Sequence, residues 1–311
     1  MPDIFQDSLT EKIGLPEVEV LLATLNGAEF IGQFLQSLSE QKAVKIHLRI
    51  SDDGSTDQTI DIIQSFRDRF ESLEIACGPK EGPCNNFLFL INRSTHQFMA
   101  LADQDDIWHS DHLSNSIERM KSYLNKPVLS YSSVLEISQS KRQVWPNNEQ
   151  QPNLVNSIFE NSARGCTIVL NDKTRDLINL HQPKKAVMHD WWIYLLVQFC
   201  GVVVFSSKPE VDYRLHGNNF VGARKRWLSR ALTFIKGSSN PEWPPRSQLI
   251  ELLDNYAGYL DSEKHLIVLE VAQILTSSRK ERLFWLMRNK IKLRKSWVED
   301  LAVKIRILTL K

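Results

Sequence analysis

Cysteine is scarce and scattered in this 311-residue chain. Cys77, Cys84, Cys166 and Cys200 form no C-x-x-C pair, so neither a zinc ribbon nor a disulfide framework is indicated, and a reducing compartment fits. The first residues carry Pro, Asp, Gln and Ser in place of a basic stretch and an apolar run, so no secretory leader is expected and the protein is read as cytoplasmic. No apolar run reaches the ~20 residues that cross a bilayer. The longest, residues 191–205, is interrupted by Gln198 and Gly201 and reads as a buried helix, a glycine break and a buried strand. Charge of one sign is also missing: Lys and Arg total 38 against 37 acids, a net of +1 that by itself says nothing about partners. No nucleic-acid partner is expected. There is no G-x-x-x-x-G-K-[ST] loop and no internal repeat. With 42% hydrophobic and 24% charged residues, the chain can bury a sizeable core.

What is present begins with Val18-Glu-Val-Leu-Leu-Ala23, an apolar run closed by Thr24, Asn26 and Gly27, which reads as a buried strand. Phe30, Ile31, Phe34, Leu35 and Leu38 recur at helical spacing over residues 28–41. Residues 46–50 repeat the strand pattern and break at Ser51-Asp52-Asp53-Gly54, and Ile60, Ile62, Ile63 and Phe66 give another apolar helical face. A strand over 73–76, a helix over 86–92 and a strand over 98–102 follow, the last running into Asp103. Strands alternating with helices imply βαβ units and a largely parallel sheet, with ligands beyond the strands' carboxyl ends. Further on, the pattern predicts a helix from Asp111 to Tyr123, a strand over 128–137, a polar loop over 138–153, strand character over 165–170 and a helix over 173–180. After Arg224 a breaker-rich segment, residues 237–245, leads into helical patterning. The expected division is a domain over 1–222 and a helical extension over 223–311.

Two acidic loops fall at one edge of that sheet. Asp103-Gln104-Asp105-Asp106 leaves a buried strand, and hard oxygen ligands there suit Mg²⁺ or Mn²⁺ bound to a diphosphate. The structural alternative is an Asp-rich turn that caps the helix beginning near Ser110. Ser51-Asp52-Asp53-Gly54-Ser55-Thr56-Asp57 offers acceptors to a base N–H or a ribose hydroxyl, with Asp57 or Thr56 as caps. His189-Asp190-Trp191-Trp192 sets one carboxylate at the start of an apolar helix. Partial burial would raise the pKa of Asp190, as a general base requires, and the indoles are a surface for stacking a sugar; the alternatives are a helix-start acid and core tryptophans. His216, in Arg214-Leu-His-Gly-Asn-Asn219, opens a loop where an imidazole could reach a metal, and Arg214 could pair with phosphate.

Taken together, Leu22-Ala-Thr-Leu-Asn-Gly27, Ser51-Asp-Asp-Gly-Ser-Thr-Asp57 and Asp103-Gln-Asp-Asp-Ile-Trp108 resemble the successive signatures of family 2 glycosyltransferases. Gly165-Cys-Thr, His189-Asp-Trp-Trp192 and Tyr213-Arg-Leu-His-Gly-Asn-Asn219 resemble the bacterial rhamnosyltransferase-like branch that builds cell-surface polysaccharides. The resemblance implies an α/β GT-A fold: a Rossmann-like, mainly parallel mixed sheet flanked by helices, with a helical C-terminal extension. It further implies an inverting transfer from a nucleoside diphosphate-sugar, with rhamnose as a candidate sugar, to a glycan or lipid-linked glycan hydroxyl. Carried onto this sequence, Asp53 binds the base, Ala23 and Leu25 line its pocket, and Asp103 and Arg214 join the nucleotide-sugar site. Asp105 and His216 hold the Mn²⁺ or Mg²⁺, Asp190 is the base, and Trp191 and Trp192 meet the acceptor. Ala23 and Leu25 stand where relatives often carry polar or aromatic residues, which leaves the base identity open.

Three other readings stand beside it. A sugar-nucleotide nucleotidyltransferase would carry a basic Gly-rich loop after its first strand, and Ala23-Thr-Leu-Asn-Gly27 has no Lys or Arg. A phosphatase with an Asp nucleophile would carry a D-x-D there. A non-catalytic membrane-surface or scaffold protein would act through the tail, where Lys290, Lys292, Arg294 and Lys295 cluster and basic residues far outnumber acids. That tail could touch anionic lipid at the inner face of a membrane, and Leu283, Leu286, Met287 and Ile291 form an apolar stripe suited to core packing or self-association.

Overall fold

A computed structural model describes residues 14–138, 142–145, 153–215, 246–289 and 291–310. Strand β1 (Glu17–Thr24) sits inside a sheet covered on both faces, which is why its residues from Val18 to Leu22 are all buried. It pairs in parallel with β2 (Lys45–Asp52) on one side and β4 (Phe98–Asp103) on the other, and β2 pairs in parallel with β3 (Ser72–Cys77). The crossovers are α1 (Ile31–Ser39), α2 (Thr59–Ser65) and α3 (Pro83–Arg93).

Beyond β4 the pairing turns mixed. A two-residue strand, β5 (Ile107–Trp108), and helix α4 (His112–Met120) lead to β6 (Val128–Ile137) and β7 (Arg142–Trp145). Helix α5 (Leu154–Phe159), β8 (Val169–Asn171), α6 (Asp172–Asn179), α7 (His189–Cys200) and β9 (Val202–Arg214) follow. The order across the sheet is β3-β2-β1-β4-β8-β6-β9-β5, with β7 antiparallel to β6. The polar stretch read as a loop over 138–153 therefore contains a strand. Strand β8 pairs only with Leu129 and Ser130 of β6, and β7 takes the stretch from Val134 to Ile137. Residues 165–170 are likewise not one strand: Gly165–Thr167 is a 3₁₀ turn, and only Val169–Asn171 pairs with the sheet.

Side chains alternate along each strand, so the sheet divides two hydrophobic clusters. Val20, Leu22, Ala100 and Ala102 face α1, α2 and α4, whereas Leu21, Met99 and Leu101 face α3 and α7. Helix α7 is buried almost all round, and the break after it is a matter of space: a Cβ on Gly201 would collide with the Pro127 carbonyl oxygen.

The C-terminal helices are α8 (Arg246–Tyr256), α9 (Ser262–Ile274), α10 (Arg279–Asn289) and α11 (Trp297–Thr309). Leu249, Leu252, Tyr256, Val268, Trp285 and Ile307 belong to the same cluster as Trp192 and Tyr194 of α7. The expected boundary at residue 222 lies outside the described residues. The expected stripe on α10 is split: Leu286 packs on the core, Trp285 is buried, and Leu283 and Met287 point outward. Among the described residues no helix is long and apolar enough to cross a membrane.

Candidate active site

The carboxyl ends of β1, β2 and β4 lie side by side, with Ala23 flanked by Ser51 and Asp103. The loops beyond them are tied by side chains. Asn26, at φ 48°, donates its N–H to Ser55 Oγ at 2.8 Å, and its side-chain oxygen accepts the Thr56 N–H at 2.9 Å. Gly27 N–H donates to Thr59 Oγ1 (2.8 Å) and Ala28 N–H to Asp57 (3.1 Å). Asp57 also accepts the N–H and hydroxyl of Thr59, the first residue of α2, and these bonds hold its carboxyl below the usual range.

The adjacent acids Asp52 and Asp53 have different duties. Asp52 accepts from the Thr24 hydroxyl (2.9 Å), the Gly54 N–H (3.0 Å) and the Ser55 N–H (2.8 Å), so its oxygens are spent on the turn. Burial opposes ionisation, the hydrogen bonds from Ser55, Thr24 and Gly54 outweigh it, and the pKa falls. Asp53 is half-buried and accepts the Lys80 N–H at 3.0 Å. It rests on Gly78, where a Cβ would collide with its Oδ1. Leu25 is 50% exposed, and Gln104 clamps it by accepting its N–H and donating to its carbonyl, both at 3.1 Å.

Asp103 and Asp106 meet Cys166, with one ligating atom of each within 4.8 Å of the others. Asp106 is 1% exposed, its Oδ1 takes the Arg214 N–H at 3.4 Å and its Oδ2 has no hydrogen-bond partner. The N-cap position of α4 is Asp111, with no side-chain cap hydrogen bond, so Asp106, five residues earlier, does not cap it. Burial, then the charges of Asp105 and Asp190, push the Asp103 carboxyl up to about 7, while burial, Asp105 and Asp103 push Asp106 upward. Asp105 lies next to this set without belonging to its tight core.

Asp190 opens α7 across from these acids. The Trp191 N–H donates to its Oδ1 at 2.7 Å, and the Gly165 backbone and Asn161 side chain also hydrogen-bond to it. Burial dominates and raises it to about 6. Gly165 lets α7 approach, since a Cβ there would stand 3.1 Å from His189 Nε2 and 3.7 Å from Asp190 Cβ. His189 is stacked on Phe87 with ring centroids 4.0 Å apart, and burial lowers it to about 3, so it stays neutral.

Arg164 joins the site with no signal in the sequence beyond its place before Gly165-Cys-Thr. Its guanidinium lies 4.3 Å from the centroids of both Trp145 and Tyr213, is paired with Glu136 at 2.6 Å, and acts on both Asp103 and Asp190. Asp103, Asp105, Asp106 and Asp190 thus converge with one arginine that already has a carboxylate partner. That surplus of negative charge, and the orphaned Asp106 oxygen, fit a divalent cation.

Other expected site residues fall differently. Trp192 is fully buried, with its ring centroid 6.1 Å from that of Tyr256, so it has no face for an acceptor and is core. Trp191 is half-buried, and its Nε1 donates to the Ser157 carbonyl at 3.0 Å. Arg214 turns its guanidinium to Gln33 and the Phe30 ring beside α1. His216 lies outside the described residues.

The sequence profile described as Glycosyl transferase family 2 matches residues 19–176, which contain both acidic loops. The dTDP-rhamnosyl transferase RfbG of Shigella flexneri is 32% identical over 242 residues, covering 69% of this chain and 83% of that protein. Among solved structures, S. aureus TarS 1-349 in complex with UDP-GlcNAc aligns with a TM-score of 0.59 at 14% identity, over 94% of this chain and 90% of that one. A mannosyltransferase from Pyrobaculum calidifontis in complex with GDP-Man and Mn²⁺ aligns with a TM-score of 0.50 at 16% identity, over 94% and 86%. The fold is thus GT-A, and the chain belongs to glycosyl transferase family 2.

Proposed function

We propose that the protein is an inverting, divalent-metal-dependent hexosyltransferase. It moves rhamnose from dTDP-rhamnose to a hydroxyl of a glycan or lipid-linked glycan acceptor in cell-surface polysaccharide synthesis. The observation that carries this reading is the convergence of Asp53, the Asp103–Asp106 cluster and Asp190 at one sheet edge. The rhamnosyl donor is supported by the likeness to RfbG.

Asp53, seated against Gly78, accepts N–H groups of the base, and Ala23 and Leu25 would line the base pocket. Asp103 and Asp106, with Asp105 beside them, would hold Mn²⁺ or Mg²⁺. When bound, such an ion neutralises the charge of a departing diphosphate. Asp190 takes the proton of the attacking acceptor hydroxyl. Its raised pKa matches a base that works near neutrality, and the hydrogen bonds at its carboxylate fix its aim. The attack displaces the nucleotide directly, and no covalent sugar–enzyme intermediate forms. Cys166 takes no nucleophilic part, because burial and the neighbouring Asp106 and Asp103 raise its thiol pKa well above the ordinary value.

Thermal unfolding with dTDP, UDP, GDP or CMP, each with and without Mn²⁺, tests the reading. A nucleotide at ~100 times its Kd stabilises the folded state by about 2.7 kcal/mol. The expected result is a metal-dependent shift with dTDP that is lost in Asp103→Ala and Asp105→Ala. A shift with UDP in its place would overturn the rhamnosyl donor and keep the transferase. No shift with any nucleotide would overturn the transferase itself.

A further inference from the structure

At the other end of the sheet, where β1 and β2 begin and the chain enters β4, lies a second cluster that sugar transfer does not use. Glu17 opens β1, His47 is on β2 opposite Glu19, and His96 lies just before β4. One ligating atom from each of Glu17, His47 and His96 falls within 4.8 Å of the others. His47 Nε2 is 3.5 Å from Glu17 Oε2, His96 Nδ1 is 3.5 Å from Glu19 Oε2, and the two ring centroids lie 4.3 Å apart. Both 3.5 Å separations are long for charge-assisted hydrogen bonds. Between the two candidate ligands Glu17 and His47, 3.5 Å is close to the roughly 3.4 Å between ligands of a tetrahedral ion bound at 2.0–2.1 Å.

Three atoms of the cluster are left without hydrogen bonds: His47 Nε2, His96 Nδ1 and Glu19 Oε2 are all buried, and their charged neighbours stand no closer than the 3.5 Å contacts above. Glu19 itself is 2% exposed. The opposite atoms of His47 and Glu19 are held. His47 Nδ1 pairs with Ser72 Oγ at 2.9 Å, and Glu19 Oε1 receives Arg49 Nε at 2.6 Å. Arg49 is shared with Glu74 at 2.7 Å, and Lys45 lies 3.8 Å from the other oxygen of Glu17. Glu17, Glu19 and Glu74 thus face Arg49 and Lys45, while Arg175, which donates to the His96 carbonyl, is paired with Asp176; one negative charge is left uncompensated beside two imidazoles. An imidazole oriented through one nitrogen, with the other buried and without a hydrogen bond, is the arrangement of a metal ligand, and His47 has it.

We propose that Glu17, His47 and His96 bind a borderline transition-metal ion, Zn²⁺ being the best match, with the buried Glu19 carboxylate as the neighbouring counter-charge. Two nitrogen donors distinguish this site from the oxygen-rich acid loops and favour Zn²⁺ over Mg²⁺. The ion would clip the starts of β1 and β2 to the segment entering β4. This site is independent of the proposed transfer reaction.

The test is calorimetric titration of ZnCl₂ into the chelator-stripped full chain, with millimolar Mg²⁺ present to occupy the acid loops. The expected result is one Zn²⁺ per chain, retained in Asp105→Ala and lost in His47→Ala and His96→Ala. Ser72→Ala removes only the orienting partner and should weaken binding about 10- to 100-fold. Circular dichroism shows that each variant is folded, and for the His47, His96 and Ser72 variants a retained nucleotide-dependent thermal shift shows it as well. No stoichiometric Zn²⁺ in the unaltered protein, or binding that survives both histidine variants, overturns the proposal.

Discussion

Asp190 is under two opposed demands. Ionised, it is the proton acceptor of the proposed reaction; largely buried, it destabilises the fold, because its pKa stands near 6 against 3.8 in water. The folded carboxyl is the weaker acid, so the folded state binds more protons between those values and stability falls as pH rises from about 4 to 6. At neutral pH the cost is up to about 3 kcal/mol, from two units at 1.36 kcal/mol each. Asn at this position keeps an oxygen for the Trp191 N–H. Asp190→Asn should therefore raise the thermal midpoint of the metal-free protein while lowering turnover by about 10²- to 10⁴-fold. In the unaltered enzyme, kcat/KM should fall as pH drops through about 6, when the base becomes protonated. A variant no more stable than the parent at pH 7, or a flat acid limb, would remove Asp190 from the role of base.

At the scale of elements, the loop after β2 works only because the residue that follows β3 has no side chain: Gly78 leaves room for Asp53, and any Cβ there would collide with Oδ1. Gly78→Ala should displace the Asp53 carboxylate while leaving β3 paired. Losing a hydrogen bond to a charged group costs about 1.5–3 kcal/mol, so nucleotide affinity should drop at least ~10-fold by calorimetry. Affinity within two-fold of the parent would show that Asp53 does not read the base. Strands β1, β2 and β4 are legible in the sequence because each is a short apolar run punctuated by Gly, Asn or Asp, and that chemistry is local. The acids at their ends are legible for the same reason. Arg164 and Cys166 are not, since the antiparallel pairing of β8 with β4 and the approach of α7 to Gly165 bring them to Asp103. Trp192 reads as an acceptor surface until its aromatic partner Tyr256 is seen to arrive from α8, far along the chain.

For the whole molecule, the question is whether the C-terminal helices are an appendage or part of one cooperative unit. The sequence favours a boundary at residue 222, where composition changes. Yet Leu249, Leu252 and Tyr256 of α8 are fully buried in the cluster that holds α7, and α7 carries Asp190 on its first turn. Glu251 reinforces that contact by accepting the Lys184 N–H at 2.7 Å and the Lys185 N–H at 2.9 Å, in the segment just before α7. Burial shared in this way couples the two parts, so heat should melt them together. Leu252→Ala empties a fully buried site and should cost about 2–5 kcal/mol. Calorimetry is expected to show a single transition that moves down as a whole, with nucleotide-dependent protection lost over the same range. Two transitions, with only the later-melting or earlier-melting one displaced, would mean that the helices fold as a separate domain. In that event the position of Asp190 would not depend on them.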